Sequence, residues 1–118
     1  MMIQYYAYPK CSTCQKGKKW LEANGAEFDY IDISQNPPSA AQLKEIHETS
    51  GIELKKFFNT SGKKYRELEL KEKLPEMSAD EQYELLASDG MLIKRPLAWD
   101  GSQATLGFKE DAYANTWS

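Results

Sequence analysis

Cys11 and Cys14 stand two residues apart in YPKCSTCQKGKKW and are the only cysteines in the chain. The spacing admits a staple, half of a metal site, or thiol chemistry. A permanent bridge over so short a loop restrains the unfolded chain little. Structural zinc takes about four ligands, usually with a second Cys or His pair; His47 is the only histidine and there is no third cysteine. The same count leaves His47 alone to run any Ser-His-Asp chemistry, which argues against that class. In the polar stretch KEIHETS it is expected to face solvent. Redox chemistry is therefore the functional reading of the pair, set against two small, half-buried apolar side chains.

Thiol chemistry needs elements that place the sulfurs. IQYYAY is aromatic and partly alternating, as suits a strand. After a turn at PKCST, CQKGKKWLEANG reads as a helix beginning near Ser12 or Thr13 and closed by Gly25. FDYIDI is a second strand, and strand–helix–strand over this length forms a parallel βαβ unit. Cys11 then sits at the amino end of the helix, where unpaired N–H groups and the dipole favour a thiolate. Its pKa is expected below the free value of about 8.5, with Lys10 as a positive neighbour. Cys14, one turn in, can attack a mixed disulfide on Cys11.

The middle of the chain reads as helical. Ser39 and Gln42 form a capping box, Gly51 a stop, and Ser78 with Glu81 a second box ended by Gly90. IELKKFFNTSG is a shorter helix or turn, and YRELELKEKLPEM is two pieces divided at Pro75. MLIKRPLAWDGSQATLGF reads as two strands joined at Asp100-Gly101, and KEDAYANTW as a final helix whose end Trp117 packs. This order of βαβ, helical block, hairpin and helix is that of a thioredoxin-like α/β fold with a mixed four-stranded sheet. There, Pro96 faces the cysteines across a groove, commonly after a cis peptide, and Arg95 turns toward the thiolate or a bound oxyanion. Lys10, Ser12, Thr13 and Pro96 are expected to line that groove. Lys16, Lys18 and Lys19 read as a solvated helix face, and Tyr5, Tyr6 and Tyr8 as strand packing and groove wall.

The whole 118 residues fit a single domain with a helical insertion over about 38–90. A formal charge of -3 offers no general attraction to nucleic acid or anionic lipid. No apolar run approaches the roughly 20 residues of a membrane span. The opening MMIQYYAYPK lacks a secretory pattern, so a cytoplasmic location is expected.

With these residues placed, the sequence resembles the ArsC/Spx family, arsenate-reductase-like proteins and Spx/MgsR-type relatives on a thioredoxin fold. The resemblance runs through YYAYPKCSTCQKGKKWLEANG, GIELKKFFNTSG, LIKRPL and LGFKED. It implies that Cys11 is the nucleophile, Cys14 the resolving thiol and Arg95 the group that steadies negative charge on a disulfide or oxyanion substrate. Electrons would come from glutathione, another low-molecular-weight thiol or a redoxin, with no metal or organic cofactor. Arsenate reductases of the family use three arginines for the oxyanion. Here Arg95 matches one, Asn59 stands at the second, and the third falls near Gly107 with Lys109 close by. Losing two charge-assisted bonds, about 1.5–3 kcal/mol each, is expected to weaken binding of a doubly charged oxyanion. The Spx branch implies a redox-sensing regulator contacting the RNA polymerase α-subunit, to which Gly51 and Arg95 correspond.

Overall fold

The computed structural model of the chain describes residues 2–118. Strand β1 (Ile3–Ala7) leads into helix α1 (Ser12–Ala23) and strand β2 (Phe28–Asp32), with β1 and β2 parallel from Ile3↔Phe28 to Ala7↔Asp32. A helical block follows: α2 (Ala40–Ser50), a 3-10 turn at Leu54–Phe57, α3 (Lys63–Glu67), α4 (Leu70–Lys73) and α5 (Ala79–Ser88). The hairpin β3 (Leu97–Trp99) and β4 (Ala104–Leu106) and helix α6 (Glu110–Trp117) complete the chain. The sheet order is β2-β1-β3-β4, with β3 antiparallel to both its neighbours. This is the mixed four-stranded, thioredoxin-like α/β sheet expected from the order of elements.

Alternation along the strands divides the core. Ile3, Tyr5, Ala7 and Ala98 pack on one face with Cys14 and Leu21 of α1 and Tyr113 of α6. Tyr6, Leu97 and Trp99 point the other way, into Leu43, Ile46, Phe57, Phe58 and Leu86 of the helical block. The sheet is thus covered on both sides, and α1 is pinned through one stripe, Cys14, Gly17 and Leu21.

Both capping boxes form, Ser39 with Gln42 and Ser78 with Glu81. Gly51 closes α2 in the left-handed region at φ 73°, and Gly25 follows α1 at φ 69°. At the hairpin, the Asp100 carboxylate accepts from the N–H groups of Ser102 and Gln103 at 2.9 and 2.8 Å. Burial works against that negative charge, but the donated hydrogen bonds prevail and hold the Asp100 carboxyl below its usual range.

Four local expectations change. The piece after Tyr65 divides at Glu69, which takes φ 53°, rather than at Pro75. Pro75 lies in the first residues of a 3-10 turn, Leu74–Glu76, where a missing N–H costs nothing. Gly90 does not cap α5. It opens a 3-10 turn, Gly90–Leu92, with its α-carbon so close to the Ile33 carbonyl that a side chain would collide. Pairing on β3 begins only at Leu97, because Pro96 has no N–H to donate; upstream, Ile93 makes an isolated bridge with Phe58. Finally, His47 is half-buried, its Nδ1 2.6 Å from the Tyr83 hydroxyl and its ring edge-on to Phe57. The α2–α5 packing takes in an imidazole that its polar neighbours in sequence place outside.

Candidate functional site

Cys11 is the N-cap of α1, with extended backbone at φ −92°, ψ 115°. Its Sγ accepts the backbone N–H of Cys14 at 3.3 Å, and its carbonyl takes the Gln15 N–H. A sulfur thus occupies the place where a Ser or Asp oxygen commonly sits, receiving an N–H that the helix cannot otherwise satisfy. That donor and the positive end of the helix dipole both face the sulfur. Cys11 is half-buried, so it can meet a substrate.

Cys14 is fully buried against Ile3, Tyr5, Ala7 and Leu21. Burial, reinforced by the hydrogen bond to Cys11, pushes its thiol up to about 12, while a hydrogen bond to the Tyr8 backbone and, less strongly, the Arg95 charge pull the other way. Both cysteines are free thiols. The Tyr5 hydroxyl donates to the Cys14 carbonyl at 2.6 Å, tying the first turn of α1 to the central strand. The approach is close enough that a side chain at Gly17 would meet that hydroxyl.

The Arg95–Pro96 peptide is cis. Pro96 is buried and its carbonyl accepts from the Gly107 N–H at 2.9 Å, joining this bend to the chain after β4. The Arg95 guanidinium lies over the Tyr8 ring, 5.7 Å from its centre, and donates through Nη1 to the Met91 and Ile93 carbonyls at 3.2 and 3.3 Å. Its Nε is buried without a partner. One edge of the fork is spent on fixing the side chain, and a donor on the other side is unspent.

A cleft of about 370 Å³ opens between these elements, lined by Cys11, Thr13, Asn59, Arg95 and Lys94 and by Leu106 to Lys109. Of the residues named from the sequence, it brings together Cys11, Thr13 and Arg95. Lys10 and Ser12 are exposed outside this lining, Pro96 lies beneath it, and Cys14 lies behind Cys11. Asn59 and Gly107 also line the cleft, together with Lys109. Lys94 is the residue sequence reasoning missed. It neighbours Arg95 in KRPL, and Lys94 N–H bonded to the Phe57 carbonyl at 2.7 Å sets it on the cleft wall. Three cations therefore line the space beside Cys11, although only one of them is an arginine. Tyr5 and Tyr6 are buried in the strand packing, Lys16 and Lys19 are exposed, and Lys18 covers the Tyr30 ring at 5.4 Å.

The ArsC family matches residues 6–116. The uncharacterized protein YusI of Bacillus subtilis (strain 168) is 62% identical over 118 residues, all of both chains. The crystal structure of a possible arsenate reductase from Streptococcus mutans UA159 superposes with a TM-score of 0.87 at 51% identity, covering 92% of each chain. The regulatory protein MgsR of Bacillus subtilis (strain 168) is 28% identical over 106 residues, 90% of this chain and 82% of its own.

Proposed function

The chain belongs to the ArsC family, and on that premise we propose that it is a thiol–disulfide oxidoreductase working through Cys11 and Cys14. The observation that carries this reading is the Cys11 sulfur at the helix amino end, receiving the Cys14 N–H and opening onto a cleft beside Arg95. In the first step the Cys11 thiolate attacks one sulfur of a disulfide, forming a mixed disulfide and expelling the other half as a thiolate, which takes a proton from water. Arg95, whose side chain lines the same cleft, steadies the charge that leaves. Cys14 then gives up its proton and attacks the Cys11 sulfur, releasing the second thiol and closing a Cys11–Cys14 disulfide. A low-molecular-weight thiol or a redoxin returns the two electrons, and no metal or organic cofactor enters.

The test is differential alkylation of the reduced chain at about pH 7, read residue by residue by mass spectrometry. Cys11 is expected to react at least about tenfold faster than Cys14. Equal, slow labelling of both would end the reading.

A second reading, reduction of an arsenate-type oxyanion, is favoured by Lys94, Arg95 and Lys109 standing around the same cleft. Turnover that requires both Cys11 and Arg95 would support it, and none with either glutathione or a redoxin would remove it. A regulatory role, in line with relatives named as regulators, would call for a contact with the RNA polymerase α-subunit, which a pull-down of its C-terminal domain in both redox states decides.

A further inference from the structure

Strand β4 ends the sheet, and among the described residues no strand pairs with its outer side. The hydrogen bonds of the hairpin fix which backbone groups point that way. Gly107 donates to the Pro96 carbonyl and Asp100 to the Gln103 carbonyl, with Ala98 paired to Thr105 midway between. Bonded and open rungs alternate in an antiparallel ladder, so Ala104 and Leu106 turn their N–H and C=O groups away from β3. Beyond them lies a chamber of about 670 Å³ that straddles the sheet edge. On one side Leu106 packs toward the helical block, where Phe58 and Tyr65 line the space. On the other, Thr105 faces α6, its hydroxyl accepting from Trp117 Nε1 at 3.0 Å, and Ala112 of α6 completes the wall.

Lys55, Lys56, Lys94 and Lys109 stand around this edge, and among the described residues no Asp or Glu lines the chamber. In a chain of net charge -3, the gathering runs against the overall balance. Lys55 pairs with Glu53 at 3.5 Å, with both side chains well exposed, a contact that contributes little. Lys56, Lys94 and Lys109 have no ion-pair partner among the described residues.

We propose that the outer edge of β4 is a docking site for an extended, acidic segment of another protein, which adds a strand to the sheet. In such an addition, main-chain hydrogen bonds supply the affinity and alternate side chains supply the specificity. The backbone groups of Ala104 and Leu106 are the bonding edge. Apolar side chains of the added strand would rest on Ile52, Phe58, Tyr65 and Leu106, and its acidic ones would meet the lysines. A second copy of this chain does not suit the edge, because pairing β4 with β4 would set the same lysines against one another. Lysine on an edge deters pairing between like strands in this way; the same charge admits an acidic one. Neither cysteine lines the chamber, so the docking site stands apart from the thiol chemistry.

Fluorescence anisotropy on the full chain tests this with a labelled, end-blocked peptide in which Glu and Val alternate over about eight residues, within the usual length of a strand. Saturable binding is expected, equal in Cys11→Ser, about fivefold weaker in Lys56→Ala, restored in Lys56→Arg and weakened as salt is raised. Lys56 is exposed, so its replacement leaves the fold intact. The same peptide with Lys in place of Glu is expected to bind at least about tenfold more weakly. Two further peptides carry N-methyl groups, one on its Val amides and one on its Glu amides. Only alternate N–H groups of an added strand face β4, so one set should abolish binding and the other spare it. No binding of the acidic peptide, or equal binding of the lysine peptide, would mean that the lysines only guard the edge, and the proposal falls. Equal effects of the two methylated sets would show that the ligand is not a strand, and loss of binding in Cys11→Ser would move it to the thiol cleft; either result overturns the site. A dimer in sedimentation that the acidic peptide dissociates would make a second copy the occupant and overturn the assignment to another protein.

Discussion

The two cysteines share a motif and differ in nearly everything else that governs reactivity. Cys11 is half-exposed at a helix end, whereas Cys14 sits in the sheet-facing core with its thiol held high by burial. Its packing there is joined by a hydrogen bond from the Tyr5 hydroxyl to its carbonyl. Gly17, one turn on, is glycine because the Tyr5 hydroxyl fills the space a methyl group would need. Gly17→Ala is therefore expected to destabilise the protein by about 1–3 kcal/mol despite alanine's better helix propensity. In a Tyr5→Phe background, where the oxygen is gone, the same substitution is expected to cost clearly less. Urea unfolding of the four variants reads the coupling; an unchanged penalty would mean that Tyr5 and Gly17 do not contact as described.

Among the elements, α1 delivers Cys11, but the helical block builds the opposite wall. Its 3-10 turn Leu54–Phe57 and the Phe58–Ile93 bridge carry Asn59 and Lys94 to the cleft. Helix α2 supports that turn through Leu43 and Ile46 and through the His47–Tyr83 hydrogen bond to α5. The start of α2 depends on its capping box, in which Ser39 Oγ accepts the Gln42 N–H at 3.1 Å and the Gln42 side chain takes the Ser39 N–H at 2.9 Å. Ser39→Ala is expected to cost about 1 kcal/mol, visible as a lower denaturation midpoint with an unchanged slope. Ser39→Asp keeps an acceptor and should recover most of the loss; a midpoint unmoved by Ser39→Ala would show that the box does not hold α2.

At the scale of the whole molecule, the acid groups buried between sheet and helices tie stability to alkaline pH. Burial pushes Cys14 from 9.0 and Tyr113 from 10.0 up to about 12, and it raises Tyr5 as well. The folded protein then keeps protons that the unfolded chain gives up. Stability is full below about pH 9 and is lost as pH rises toward 12. Urea midpoints taken across this window are expected to fall steadily. Cys14→Ala removes one of the titrating groups, so its decline should be shallower than that of the parent chain. A flat profile in the parent would contradict the burial of these groups.

Local patterns in the sequence determined the βαβ opening, the two capping boxes, the hairpin at Asp100 and the place of Cys11 at a helix end. Each of these rests on neighbours within a few residues: alternation in IQYYA, Ser with Gln or Glu three positions on, Asp before Gly. The Arg95-Pro96 pair was legible too, through its resemblance to a family pattern. Only the tertiary structure decided which cations face the thiol. Lys94 and Lys109 reach the cleft because hydrogen bonds from Lys94 to Phe57 and from Gly107 to Pro96 set where the chain passes, whereas Lys10 does not line it. It likewise decided that His47 is enclosed and that Gly17 and Gly90 are spacers. The reason is physical: charge, burial and close approach are properties of what surrounds a residue in space, and those surroundings come from segments far away along the chain.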